Sequence, residues 1–179
     1  MATGQTNSLL EGGFNMRMFG KSLSEYIEFQ KVILGLIIVV GVVRLALSLA
    51  GVSVGIAQWF SITGALVFGA VYYGIRVPTR GFGGYKHLLP LSVIQNLLAQ
   101  VIVIAAIALA IFTGTDNIYS IPEYSGGSDG KNWGHVAGHV FIAGIVLSLA
   151  GWLISAGVMF VTKKVAPGTR GGRAAVAGA

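Results

Sequence analysis

The sequence predicts an all-α membrane protein, an antiparallel four-helix transmembrane bundle with both termini cytoplasmic. Three observations lead there. Only 10% of the 179 residues are charged and 54% are hydrophobic, whereas a soluble domain carries about 25% charged residues. The apolar residues gather into four segments, each long enough to cross about 30 Å of hydrocarbon as a helix. The basic residues collect in alternate connections, as insertion topology requires.

The first span covers about residues 29–50 and holds KVILGLIIVVGVVRLALSLA, Lys31 to Ala50, with one charge inside it, Arg44. Residues 1–28 form a polar N-terminal segment ahead of it. They contain no apolar run of the kind a secretory signal needs, so span 1 is expected to act as its own insertion signal. Met16, Phe19, Leu23 and Ile27 recur at helical spacing, with Arg17, Lys21, Glu25 and Glu28 on another face. That spacing predicts either a short amphipathic stretch at the headgroup layer or a solvated N-terminal extension of the span 1 helix. Ser22 and Glu25 have the spacing of a capping box.

Gly51 to Gly55 is uncharged and short, so it must reverse the chain tightly. Span 2 follows over about residues 56–75. Its small and polar stripe is Gln58, Ser61, Ala65, Gly69 and Tyr72. A basic, turn-rich connection leads to span 3, about residues 88–112, with Pro90 in the first turn, where a missing N–H does no harm. The next loop, Thr113 to Gly134, is polar and holds Asp116, Glu123 and Asp129. It is expected to be the one sizeable part outside the membrane. Span 4 covers about residues 136–161, and residues 163–179 read as a flexible basic tail.

Orientation follows from charge. Arg17, Lys21 and Lys31, then Arg76, Arg80 and Lys86, then Lys163, Lys164, Arg170 and Arg173 all fall on one side of four spans. The other side has Lys131 beside three acids. The basic side is the cytoplasmic one, which places the chain in a cell inner membrane of bacterial type. The net charge of +6 therefore points to the bilayer surface and not to nucleic acid. The chain has no cysteine, which removes disulfides, thiolate nucleophiles and thiolate metal sites.

Three groups of residues carry chemical possibilities. Arg44 lies roughly 18 Å from the start of span 1, and Gln100 lies equally far into span 3. Asn96 and Ser92 follow Gln100 on the same face, one and two turns below. No acid occurs inside any span, so Arg44 needs other acceptors, and the amide oxygens of Gln100 and Asn96 or helix-end carbonyls are the expected ones. Arg44 flanked by Gly41 and Ser48 faces the bundle, its side chain leaning toward mid-membrane. Arg44, Asn96 and Gln100 thus form a polar intramembrane node. It reads as a clamp between helices, as a site for an anion or quinone-like ligand, or as a contact for a partner's acid.

His135 and His139, at i and i+4, share a helix face, as a metal-ligand pair does. No Glu stands between them as in a zinc protease helix, and a second axial haem ligand on the same helix is disfavoured. On a regular helix the small stripe Gly144, Ser148, Gly151, Ser155 lies roughly 120–180° from His139. If that stripe packs inward, the histidines face away from the core. The third group is Arg76, Arg80 and Lys86 around the glycines at 81, 83 and 84, a candidate contact for anionic lipid headgroups.

No nucleophile with its base and no paired carboxylates are present, so the sequence predicts no enzyme. It favours an accessory or structural subunit of a larger membrane complex, held by protein partners or self-association in the bilayer, on the strength of small-residue stripes in excess of one bundle's needs. The alternatives are an oligomeric small transporter or anion-selective channel, and a metal- or haem-binding electron-transfer protein. The cofactor is left open by the sequence, with a metal at the His pair the one candidate.

Overall fold

The computed structural model describes residues 17–166. Met16, Arg170, Arg173 and most of the basic tail lie outside the described residues. The elements run β1 (Arg17–Met18), β2 (Lys21–Ser22), α1 (Leu23–Leu49), α2 (Val54–Ala57), α3 (Ile62–Thr79), α4 (Tyr85–Thr113), α5 (Trp133–Gly138), a π-helical turn (His139–Ala143) and α6 (Gly144–Val165). Four helical stretches, Leu23–Leu49, Val54–Thr79, Tyr85–Thr113 and Trp133–Val165, are long and apolar enough to cross a membrane.

The stretch before span 1 is divided: its first part is a two-stranded hairpin and no amphipathic helix, while from Leu23 it is an N-terminal extension of α1. Arg17 pairs with Ser22 and Met18 with Lys21, across Phe19 and Gly20, whose φ angles are +54° and +89°. Two residues at positive φ make the tight turn that suits a two-residue hairpin loop. Helix α1 starts only at Leu23, because Ser22 caps it. The Ser22 Oγ accepts the Glu25 N–H at 3.2 Å, and Glu25 accepts the Ser22 N–H at 2.7 Å. Phe19 and Leu23 therefore never share a helix face.

The core face of α1 is Tyr26, Gln30, Ile33, Ile37, Gly41 and Arg44, a stripe stepping by three and four residues as an inward helix face does. Its opposite face leaves Val32, Val39 and Val42 exposed, and Phe68, Val101 and Phe141 are likewise exposed on the other long helices. Such an apolar outer surface is the kind that lipid covers.

Small residues set the helix spacing. Gly41 lets Ile62 of α3 and Ile102 of α4 close in, and Gly74 of α3 abuts the Ser155 carbonyl and Val158 of α6. Ser148 and Ser155 are buried, and Gly151 lies against Ser92. The stripes on α3 and α6 are thus consumed largely within the chain, and the surplus expected from the sequence is absent there. Span 2 is also interrupted. One turn, α2, precedes a break at Trp59–Ser61, and α3 begins at Ile62 because the Ser61 hydroxyl accepts the Gly64 N–H at 3.1 Å.

The loop after α4 does not stay outside the bundle. Asn117, Ile118, Tyr119 and Ser120 are all buried. Asn117 donates to the Ala106 carbonyl at 2.7 Å, Ser48 accepts the Ile118 N–H at 2.8 Å, and the Tyr119 hydroxyl donates to the Gly41 carbonyl at 3.2 Å. These bonds fold the loop down onto the ends of α1 and α4. Further out, Lys131 pairs with Asp116 at 2.5 Å and with Asp129 at 3.3 Å. The hydrogen bond to Asp116 raises the Lys131 pKa, and the backbone N–H of Lys131 lowers that of Asp129.

A second polar cluster sits toward the end of the bundle that carries the termini. Tyr73 donates to Gln30 at 3.1 Å, and Gln95 donates to the Leu66 carbonyl at 3.3 Å. The Gln95 Oε1, Gln30 Nε2 and Ser92 Oγ are buried with no hydrogen-bond partner. An orphaned buried acceptor is destabilising by about 1–3 kcal/mol. Gln95→Met keeps the volume and removes one orphan. It is expected to raise stability by about 1 kcal/mol, read as a rise in thermal midpoint in detergent; a fall would assign Gln95 a bond that the wild type depends on.

Candidate functional site

The site lies at the loop end of the bundle, opposite the termini. Arg44 comes from five residues before the last residue of α1, and Gln100 from the middle of α4. The inserted loop adds Tyr119 and Tyr124, α3 adds Thr63, and the π turn adds His139. Together they line one cavity of about 160 Å³. Aliphatic side chains, including Val103 and Leu147, supply the remaining wall.

Arg44 is only 8% exposed. Its guanidinium lies 5.2 Å from the centre of the Tyr119 ring and 4.8 Å from that of Tyr124. Each such contact stabilises a cation by about 0.5–2 kcal/mol, more when water is excluded. Arg44 makes no hydrogen bond and no ion pair among the described residues, and its Nε is buried without an acceptor. This corrects the expectation that amide oxygens of Gln100 and Asn96 or helix-end carbonyls hold it. Those amides are engaged elsewhere, and the loop rings take the guanidinium instead.

Asn96 does not line the cavity. Its side-chain nitrogen lies 3.3 Å from the Ala143 carbonyl, 2.8 Å from the Gly144 carbonyl and 2.9 Å from Ser148 Oγ. Gln100 donates to Asn96 Oδ1 at 3.1 Å, and His139 Nδ1 lies 2.8 Å from Gln100 Oε1. The node predicted from sequence is therefore divided. Gln100 and Arg44 share the cavity, while Asn96 ties α4 to α6 beneath it.

His139 was expected to face away from the core, and it faces α4. The cause is the π turn. The Gly144 N–H bonds to the His139 carbonyl, five residues back, so one extra residue is absorbed in the turn. On a regular helix Ser148 would stand about 180° from His139; the extra residue takes back about 100° and leaves about 80°. Both side chains can then reach α4. His135 stays beside it, the ring centres 4.9 Å apart, with its Nδ1 3.0 Å from the Gly130 carbonyl. Among the described residues no group of three His, Asp or Glu side chains forms a metal site.

The basic residues of the other end are not brought to one point. The Arg76 guanidinium lies over Tyr72, Lys86 lies over Phe19 of the hairpin, and Arg80 is exposed at the C-terminus of α3. Several backbone N–H groups of the glycine loop between α3 and α4 are already engaged. The Gly84 N–H bonds to His87 Nδ1 at 3.0 Å, the Phe82 N–H bonds to the Val77 carbonyl at 3.0 Å, and the Phe82 ring stacks on Phe29.

Sequence reasoning missed Tyr119 and Tyr124. The one available signal was the apolar interruption Ile118, Tyr119, Ile121 in an otherwise polar loop. Burial raises the Tyr119 phenol to about 12, against the lowering effect of Arg44. The unfolded phenol ionises near 10, so this contribution to stability is present below pH 10 and is lost as pH rises toward 12. Tyr119→Phe is expected to remove a late-ionising phenol from the ultraviolet tyrosinate titration and to lower stability by about 1 kcal/mol, the usual net worth of one hydrogen bond. An unchanged titration would contradict this burial.

No family model, no curated protein and no solved structure matches this chain.

Proposed function

We propose that the protein is a non-catalytic membrane binding protein that recognises a small anionic molecule in the Arg44 cavity. The observation that carries this reading is a buried guanidinium, with an Nε lacking an acceptor among the described residues, lining a cavity large enough for a ligand. A buried charge is retained against its desolvation cost when something meets it. The loop-side basic deficit supports cytoplasmic termini, with the cavity opening on the outer face of a cell inner membrane.

Recognition is better supported than conduction. Beneath the cavity Gln100 and Asn96 are bonded to each other, Gln100 also to His139 of the π turn and Asn96 to α6, so their amides are taken up in helix-to-helix bonds and do not line a polar route. The electron-transfer reading gains no further support from the His pair, since no third ligand joins them among the described residues. The accessory-subunit reading loses its surplus stripes but keeps one observation, the missing acid. A partner's Asp or Glu side chain would meet Arg44 in the same way a free carboxylate does.

The test uses propionate as a minimal carboxylate, with the full chain in mild detergent. Propionate is expected to raise the thermal midpoint of the wild type and to leave Arg44→Gln unmoved. An equal shift in both proteins, or no shift in the wild type, rejects the reading. Native mass spectrometry of the same preparation reports a co-purifying protein if a partner's acid is the natural occupant.

A further inference from the structure

Resting on the anion reading, we infer that the ligand is a short hydroxycarboxylate, its carboxylate on Arg44 and its hydroxyl donated to His139 Nε2. The argument starts at α6. The Ala143 and Gly144 carbonyls can only accept hydrogen bonds, and both face the Asn96 side chain at 3.3 and 2.8 Å. The Asn96 NH2 must therefore point at them, since the flipped amide would set oxygen against two oxygens. Asn96 Oδ1 then faces Gln100, which has to offer its own NH2 at 3.1 Å. Gln100 Oε1 is left facing His139 Nδ1 at 2.8 Å. An amide oxygen only accepts, so Nδ1 carries the proton.

In its neutral form the imidazole of His139 then presents Nε2 as a bare acceptor. No described residue donates to it. The neighbouring His135 is no donor either, because its Nδ1–H is used on the Gly130 carbonyl and its Nε2 is then a lone pair as well.

The cavity consequently offers a cation that can only donate and a base that can only accept. A ligand that satisfies both carries an anionic acceptor and a neutral donor. An ammonium donor fits poorly, because Arg44 repels it and no acidic side chain lines the cavity. Size completes the description. The volume of about 160 Å³ compares with an engineered cavity of about 150 Å³ that admits benzene, a ligand of six heavy atoms. A three-carbon hydroxy acid has six heavy atoms.

Calorimetric titration of the full chain in detergent with lactate, propionate and alanine tests the inference, since the three differ at a single group. Lactate is expected to bind about tenfold tighter than propionate, the worth of one well-made hydrogen bond, and alanine weaker than either. In His139→Phe the roughly tenfold preference for lactate over propionate should disappear, whatever happens to propionate itself; a purely structural role for His139 would weaken both alike and keep the ratio. Nitrogen-15 NMR of histidine-labelled wild type supplies a readout that needs no variant, with the Nδ1–H tautomer expected at His139. Equal binding of lactate and propionate, or the Nε2–H tautomer, overturns this inference and leaves the anion site standing. Failure of propionate itself removes the anion site.

Discussion

Arg44→Met is expected to abolish carboxylate binding while leaving stability within about 1 kcal/mol of the wild type. A charged side chain inside a membrane helix is unfavourable by up to about 2.5–3.5 kcal/mol on insertion scales, and by less toward the helix end, where Arg44 lies. Two tyrosine rings offset that, at about 0.5–2 kcal/mol each, and no hydrogen bond among the described residues adds to it. Methionine keeps most of the volume and removes the charge. A loss of binding without a loss of stability is the signature of a residue kept for function. A clamp between helices behaves oppositely. If Arg44→Met unfolds at a markedly lower denaturant concentration than the wild type, Arg44 holds the bundle together and the clamp reading is correct.

The largest loss is expected at Gly74. Alanine normally favours a helix over glycine by about 1 kcal/mol. At this position a Cβ would lie 2.7 Å from the Ser155 carbonyl oxygen and 2.6 Å from Val158 Cβ. The oxygen belongs to the backbone of α6 and cannot rotate aside, so the two helices must separate. Gly74→Ala is therefore expected to lower stability by about 1–3 kcal/mol, and Gly74→Leu by more. Gly35, where nothing lies within 4 Å of the added carbon, is the control, and Gly35→Ala should gain stability. Reversible unfolding of the pair in detergent would decide it, and a neutral Gly74→Ala would mean that α3 and α6 pack less closely than described.

Much of the architecture was legible because hydropathy reports solvent directly. Four long apolar segments can do little but form helices that satisfy their own backbones. The depth match of Arg44 and Gln100 was legible too, because helical rise is constant. What escaped detection involved departures from regularity. The hairpin at 17–22 turns on two residues at positive φ, one of them Phe19, a type that rarely adopts it. The burial of Tyr119 depends on hydrogen bonds to Gly41 and Ser48, some 70 residues away in the chain, which no local pattern encodes. The direction of His139 was misjudged because the wheel was drawn for an unbroken α-helix. A π turn has no composition of its own, so every angle counted across it from sequence is displaced.

That turn also divides the last helix into two sections with separate clocks. From Gly144 onward the phase is set by close packing against α3, through Ser155 and Val158. Before it, the phase is set by the pocket, through His139. Insertion or deletion of one residue within 139–143 would rotate the outer section by about 100° without disturbing the inner one. The ligand-facing side chain can therefore be exchanged for a different one by a single-codon change in length, while the seam that holds the bundle stays as it is.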